Sequence, residues 1–332
     1  MVVLSFTAAY AVYWRYVAGE LERGIENWAV AERAAGRDVT FSPGGITGFP
    51  LSFHRDFADL HLSQPAADGA LTINAARIVA TMRPWNLRVI AFASDTPAAA
   101  ELTSPTQGVR SVTAAAVEGE VRLLADGRLE AIKLRTVKLD VDDDGESYKV
   151  EQANLGLSLP LLTPRAHTDD FLGFDLALEG LTLPPGRVAL TAAPIEHLAA
   201  SGRVMGPVPS GLPPRAAVAQ WAAAGGMLEL KSFRFHQVPL DLEGEGTLAL
   251  DKAQQILGAL TIRAQGLSET IDLLVSQGLI DPNSAKTGRL MAEGLAKSDD
   301  KGRKVVNVAL SLQQGFVWLG PIRLTPLPVL TW

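Results

Sequence analysis

Past Gly36 the apolar residues stop recurring at helical spacing and begin to recur at every second position, and this change of period constrains the fold more than any other feature. Val39 and Phe41, Leu51 and Phe53, Leu60 and Leu62, and Leu71, Ile73 and Ala75 alternate with polar neighbours. Leu129 to Val141 reads as one long strand ending in an acidic turn. The run Ala153, Leu155, Leu157 and Leu159 stops at Pro160, and Phe174, Leu176 and Leu178 stop before Pro184-Pro185. Leu240 and Leu242, Leu248 and Leu250, and Leu260 and Ile262 repeat the pattern. Val306 to Leu312 and a hairpin arm from Phe316 to Leu324 complete it. Strands this close together pair antiparallel through short turns, with one apolar face and one polar or glycine-rich face. The 30 glycines and 20 prolines of the 332 residues suit such turns.

Helices interrupt the second half. Pro213-Pro214 opens one to Ala224 with Val218 and Trp221 on one side. Ser268 is the expected cap of a helix to Leu279, and Asn283 of another through Leu295. The expected class is therefore α+β and β-rich: long antiparallel curved sheets, an N-terminal membrane or stalk helix, and a few helices packed in the C-terminal half. The expected divisions are 1–18, 19–36, 37–206 and 207–332, the last boundary resting on the Pro and Gly residues of 207–211.

The opening segment suggests an address. Met1 to Trp14 carries no charge, and Tyr10, Tyr13, Trp14 and Tyr16 cluster where a helix would meet a membrane boundary. Extended to Ala18, with Arg15 snorkelling, residues 1–18 read as a membrane anchor of about 27 Å. The basic residues that precede such an anchor are missing, which reads as a late or truncated start; Ala9-Tyr10-Ala11 also has the form of a signal-peptide cleavage site. Gly19 to Ala35 continues as a stalk helix with Leu21, Ile25, Trp28 and Ala35 as its docking stripe, closed by Gly36.

The sequence carries little chemistry. A net charge of -6 gives none of the basic surplus of a nucleic-acid binder, and the absence of cysteine excludes disulfides, thiolate metal sites and cysteine nucleophiles. Asp140, Asp142, Asp144, Gly145 and Glu151 match the EF-hand calcium loop, whose oxygens suit a hard cation. Strand alternation on both sides, where an EF-hand needs helices, favours an acidic surface hairpin turn instead. His54, His61, His167, His197 and His236 are scattered, and no G-x-S-x-G elbow occurs. Gly206 to Gly211 has the spacing of a phosphate loop but Leu212 where the lysine belongs. Gly244, Gly246 and Ala249 mimic a dinucleotide fingerprint without the helix that would bind pyrophosphate, so these glycines read as places where strands bend or pack closely.

The runs Ala11-Val12-Tyr13-Trp14, Gly24-Ile25-Glu26-Asn27-Trp28 and Gly45 to Leu51, with Gly315 to Ile322 and Leu327-Pro328 at the end, resemble a bacterial envelope family known as domain of unknown function 2125. That family is best represented in alphaproteobacteria, and its members begin with a basic leader that this chain lacks. The strand-rich style is also similar to AsmA-type envelope proteins, which implies long curved sheets with a greasy groove. The expected function is that of a non-enzymatic protein of the bacterial inner membrane, with its bulk in the periplasm. Its apolar concave sheet face would meet lipid, with no cofactor and no nucleic acid. The alternatives are an assembly protein that binds other envelope proteins, and a hydrolase in which Asp56, Asp59 or Asp169 meets His54 or His167.

Overall fold

The computed structural model describes residues 2–66, 69–105, 108–184, 193–251, 253–298, 302–320 and 322–327. They form two compact units, 1–154 and 155–332. The Pro207–Gly211 stretch lies inside the second unit.

Helix α1 (Val2–Ala34) opens the first unit. It ends where Gly36 takes φ +81, a left-handed conformation natural to glycine, and Gly36 donates its N–H to the Arg33 carbonyl at 3.0 Å. Strands β1 (Asp38–Thr40), β2 (Ile46–Thr47) and β3 (Phe53–Ala66) follow, and β3 pairs with both of the others. The sheet continues through β4 (Gly69–Arg83), β5 (Asn86–Ser94), β6 (Ala98–Ser104), β7 (Gly108–Leu123) and β8 (Leu129–Asp143), all antiparallel. Strand β9 (Glu146–Ser158) leads into the second unit.

The helix packs on the sheet through its aromatics. Trp14 is 6% exposed, stacks on Phe53 at 5.1 Å between ring centroids, and donates its indole N–H to the Ser52 carbonyl at 3.2 Å. Tyr10 and Tyr13 donate their hydroxyls to the carbonyls of Pro50 (2.6 Å) and Pro84 (2.9 Å). Ala18 completes the core cluster with Val17, Leu21, Ile46 and Met82 around it.

Two expectations for this segment are corrected. No helix among the described residues, α1 included, is long and apolar enough to cross a membrane, where residues 1–18 read from sequence as an anchor. The physical reason is that Arg15 and the tyrosines dilute the apolar run, and that Tyr10, Tyr13 and Trp14 spend their polar atoms on protein carbonyls. The docking stripe is also rotated: Ala29 is buried where Trp28 was expected, and Trp28 is 44% exposed.

The second unit is an antiparallel sheet in the order β10 (Asp170–Leu181), β11 (Ile195–Met205), β12 (Met227–Gln237), β13 (Leu240–Leu250), β14 (Ile256–Gln265), β16 (Lys304–Gln313), β17 (Phe316–Leu319), β18 (Ile322–Pro326). The short β15 (Ala296–Ser298) pairs with β16. Helix α2 (Pro214–Ala223) joins β11 to β12, and α3 (Leu267–Ser276) and α4 (Pro282–Leu295) join β14 to β15. Both expected caps shift by a residue or two. Gly266, not Ser268, caps α3 from a left-handed conformation, and Asp281, not Asn283, caps α4 by accepting the Asn283 N–H at 3.0 Å.

Cross-strand partners share a face, so the register of this sheet fixes its two surfaces. Val204, Leu228 and Leu248 form one row, Leu260 and Leu310 belong to another, and Leu198, Phe235 and Leu242 to a third. The opposite face carries Glu179 against His197, Arg203 against Glu229, and Arg234 against Glu243. A bulge keeps the apolar set together. Leu230 pairs with Gly246 and Phe233 with Gly244, so Lys231 and Ser232 share the one residue that faces them. The strand positions of the apolar face are mostly half-buried. Among the described residues the fully buried apolar side chains are mostly alanine and valine, with Trp14 and Phe53 the only aromatics.

Trp14→Ala is expected to cost about 3–5 kcal/mol, since it removes a buried ring and leaves a cavity, whereas Trp28→Ala on the exposed side costs less than about 1 kcal/mol. Urea unfolding of the two variants measures the difference. Deleting Lys231 removes the bulge, which turns Leu228 and Leu230 to the charged face. Its thermal transition is expected to be lost or sharply lowered, while that of Lys231→Ala stays close to the parent.

Candidate apolar binding site

The strands of the second unit run antiparallel, so every other connection lies at the same end. Residues 159–169, 206–226, 251–255 and 314–315 gather there. Helix α2 lies over the apolar face at this end. Pro214 starts it, where the missing N–H is no loss, and Ala217 donates its N–H back to the Pro213 carbonyl at 3.0 Å. One turn on, Val218 and Trp221 point from the helix to the sheet.

Between α2 and the sheet lies a cavity of about 360 Å³ lined by Val204, Val218, Trp221, Leu228, Leu248 and Ile256, with Val208, Ala249 and Leu250 completing it. Its wall is carbon almost throughout. The one polar atom of Trp221 is turned away, its N–H donated to the Met205 carbonyl at 2.8 Å. That pose depends on Gly226: a Cβ there would lie 2.3 Å from the indole ring. The size falls in the ~300–1,000 Å³ range of small-molecule sites, which are mostly apolar with a few polar groups. Here the polar groups are missing, so the site discriminates by shape and hydrophobicity alone.

Away from the cavity the apolar face continues past Gly202, Gly244, Gly246 and Gly258. A Cβ on Gly246 would meet the Ala259 carbonyl oxygen at 2.1 Å and Leu260 at 2.8 Å. The glycine pair read from the sequence as close strand packing therefore has that geometry and no phosphate loop around it.

The polar face is a lattice of cross-strand ion pairs. His197 meets Glu179 at 2.7 Å, His236 meets Glu196 at 3.1 Å, and Arg234 meets Glu243 at 2.6 Å. Arg203 bridges Glu229 and Asp170, and those carboxylates, Glu229 first, push its guanidinium further up from its already high pKa. Exposed pairs of this kind contribute little each, and here they mark the solvent side.

The residues with candidate chemistry do not converge. Asp144 (φ +54) and Gly145 (φ +88) make the two-residue left-handed turn between β8 and β9. Asp142 accepts the Gly145 N–H at 3.0 Å, Asp143 pairs with Arg110 at 2.6 Å, and Asp140 lies 3.9 Å from Lys149. Glu151 is six residues along β9 from that turn, about 20 Å at strand rise. Among the described residues no group of three or more His, Asp or Glu side chains is placed to hold a metal ion.

The acids and histidines weighed for hydrolysis are engaged mostly with other groups, and Asp169 alone feels one of those histidines, His167. Asp56 pairs with Arg77 (2.7 Å) and Asp59 accepts from Ser42 (2.9 Å). Asp169 accepts the N–H groups of Ala166 (2.9 Å) and Arg165 (2.8 Å), which, with the charge of His167, hold its carboxyl below the usual range. His54 sits between Ser52 (2.7 Å) and Thr81 (2.9 Å). Ser52 also lies 3.1 Å from the Gly48 carbonyl, and its single proton serves one acceptor at a time, so the trio reads as a turn lock.

Sequence reasoning placed Val218 and Trp221 on one side of a helix but missed the floor of the cavity. Strands β11 and β12 escape period-two reading because β11 is rich in Ala and Gly and β12 slips at its bulge. A search that tolerates a one-residue slip between Leu228, Leu230 and Phe233, Phe235 would have found the second of them.

No curated protein matches this chain, and no solved structure does. A family model matches residues 14–328, so nearly the whole of both units is covered. The chain belongs to the DUF2125 family, described as an uncharacterized protein conserved in bacteria.

Proposed function

We propose that this protein is a non-enzymatic component of the bacterial envelope that shelters the acyl part of a lipid on the apolar face of its second unit, with the open pocket under α2 as one end of that site. The observation that carries the reading is the carbon lining of the cavity, joined to a sheet face whose apolar rows are only half-buried. An apolar surface left uncovered in water is unfavourable by roughly 25 cal/mol per Å², which is the drive for an apolar ligand to fill it. An acyl chain fits this surface because it asks for no hydrogen bonds.

The place proposed with it is the periplasmic side of the inner membrane. What supports a membrane location is the start of α1, where Phe6 is 75% and Val12 69% exposed. With Ala8 and Ala9, also exposed, they give an apolar helix end suited to lying in a lipid interface, short of crossing it. The greasy groove implied by likeness to AsmA-type proteins agrees with this reading and belongs to the proposal.

A polyene fatty acid such as cis-parinaric acid, titrated into detergent-free protein, tests the site through energy transfer from tryptophan. Saturable uptake in the micromolar range is expected. Val218→Trp, which fills the cavity, is expected to weaken it at least about tenfold, or ~1.4 kcal/mol, and Leu248→Phe to act in the same direction. Absence of uptake by the parent, or equal uptake by both folded variants, contradicts the proposal.

A further inference from the structure

The connection between β9 and β10 displays leucines where a loop ordinarily displays polar residues. Leu161 is 64% and Leu162 82% exposed, with Leu159 at 37% on one flank and Pro164 on the other. Leu212, 43% exposed, stands just before α2. Contacts tie the two segments to one place. The Gly206 N–H donates to the Asp169 carbonyl at 2.8 Å, and a Cβ on Gly225 would touch the His167 side chain at 3.6 Å. Both segments thus stand at the end of the sheet that holds the cavity.

We infer that this end of the second unit docks on a phospholipid bilayer, with Leu161, Leu162 and Leu212 entering the acyl boundary. Three features select a bilayer over another protein. Leu161 and Leu162 lie on an irregular loop between Pro160 and Pro164, with neither helix nor strand assigned there for a partner to pair with. Arg165 and Arg215 are both exposed beside them, set to meet lipid phosphates at the depth where the leucines end. The carbon-lined cavity lies at the same end of the sheet, so a chain leaving the bilayer has an apolar place nearby. That last link rests on the acyl-binding reading above; the docking itself does not.

The chain has no cysteine, so one introduced cysteine reports one position. Thr163→Cys, labelled with the polarity-sensitive nitrobenzoxadiazole fluorophore, is compared with Glu245→Cys on the charged face of β13. The full chain is mixed with vesicles of phosphatidylethanolamine and phosphatidylglycerol, and with vesicles of phosphatidylcholine alone. At Thr163 the emission is expected to rise several-fold, shift to the blue and be quenched by nitroxide lipids, more with the anionic vesicles, while Glu245 stays unchanged. Adding Leu161→Asp and Leu162→Asp is expected to abolish the response without altering cis-parinaric acid uptake.

No response at Thr163 while the protein still sediments with vesicles overturns the docking surface and leaves contact to another part of the chain. An equal response at Glu245 overturns it as indiscriminate adsorption. A response that grows with protein concentration in the absence of vesicles overturns it in favour of a second copy of the chain. Insertion at Thr163 in a protein that takes up no cis-parinaric acid keeps the docking surface and removes the cavity reading. Uptake without insertion does the reverse.

Discussion

A sheet with one apolar face needs something to cover that face, and among the described residues of the second unit no second sheet does so. The rest follows from that constraint. Along β10 to β17 the alternation places Leu, Val, Ile and Phe on one side and ion pairs such as His197–Glu179 and Arg234–Glu243 on the other. A sandwich would bury the first side against its like. Here α2 shields one end, and α3 and α4 rest against β13 and β16. The half-buried stretch between them is where the proposed acyl ligand would lie, beside a cavity with an almost wholly apolar lining.

In the first unit the same problem is solved locally. Helix α1 lays Trp14 and Ala18 on Phe53, and the tyrosines beside them find backbone carbonyls. An amphipathic aromatic wants an apolar body contact and one hydrogen bond at its tip. A membrane interface satisfies both wants, and so does a sheet edge with free carbonyls at Pro50, Ser52 and Pro84. This is why the cluster at the start of the chain reads from sequence as a lipid boundary and in three dimensions as a docking seam. The turns ahead of it, around Phe6, keep the apolar character and stand exposed.

What the sequence made legible was whatever depends on local chemistry. Gly36 stopped α1, Asp144-Gly145 made the hairpin turn, Pro213-Pro214 opened α2, and the period of two declared the β-rich class. What it hid depends on partners distant along the chain. The helix caps moved ahead of Ser268 and Asn283 because the left-handed backbone of Gly266 and the side-chain carboxylate of Asp281 set where the first turn closes. The cavity itself was hidden because its floor comes from four strands spread over 204–256, two of them irregular. The calcium-loop match shows the opposite hazard: five residues at the right spacing, spread along a hairpin that cannot bring them to one point.

Occupation of the open apolar face by an acyl chain is tested most directly by extracting protein purified without detergent into organic solvent and analysing the extract by mass spectrometry. A lipid is expected in near-stoichiometric amount from the parent and in much smaller amount when the cavity is filled. Clean protein that also acquires no lipid after incubation with bacterial membranes would contradict it.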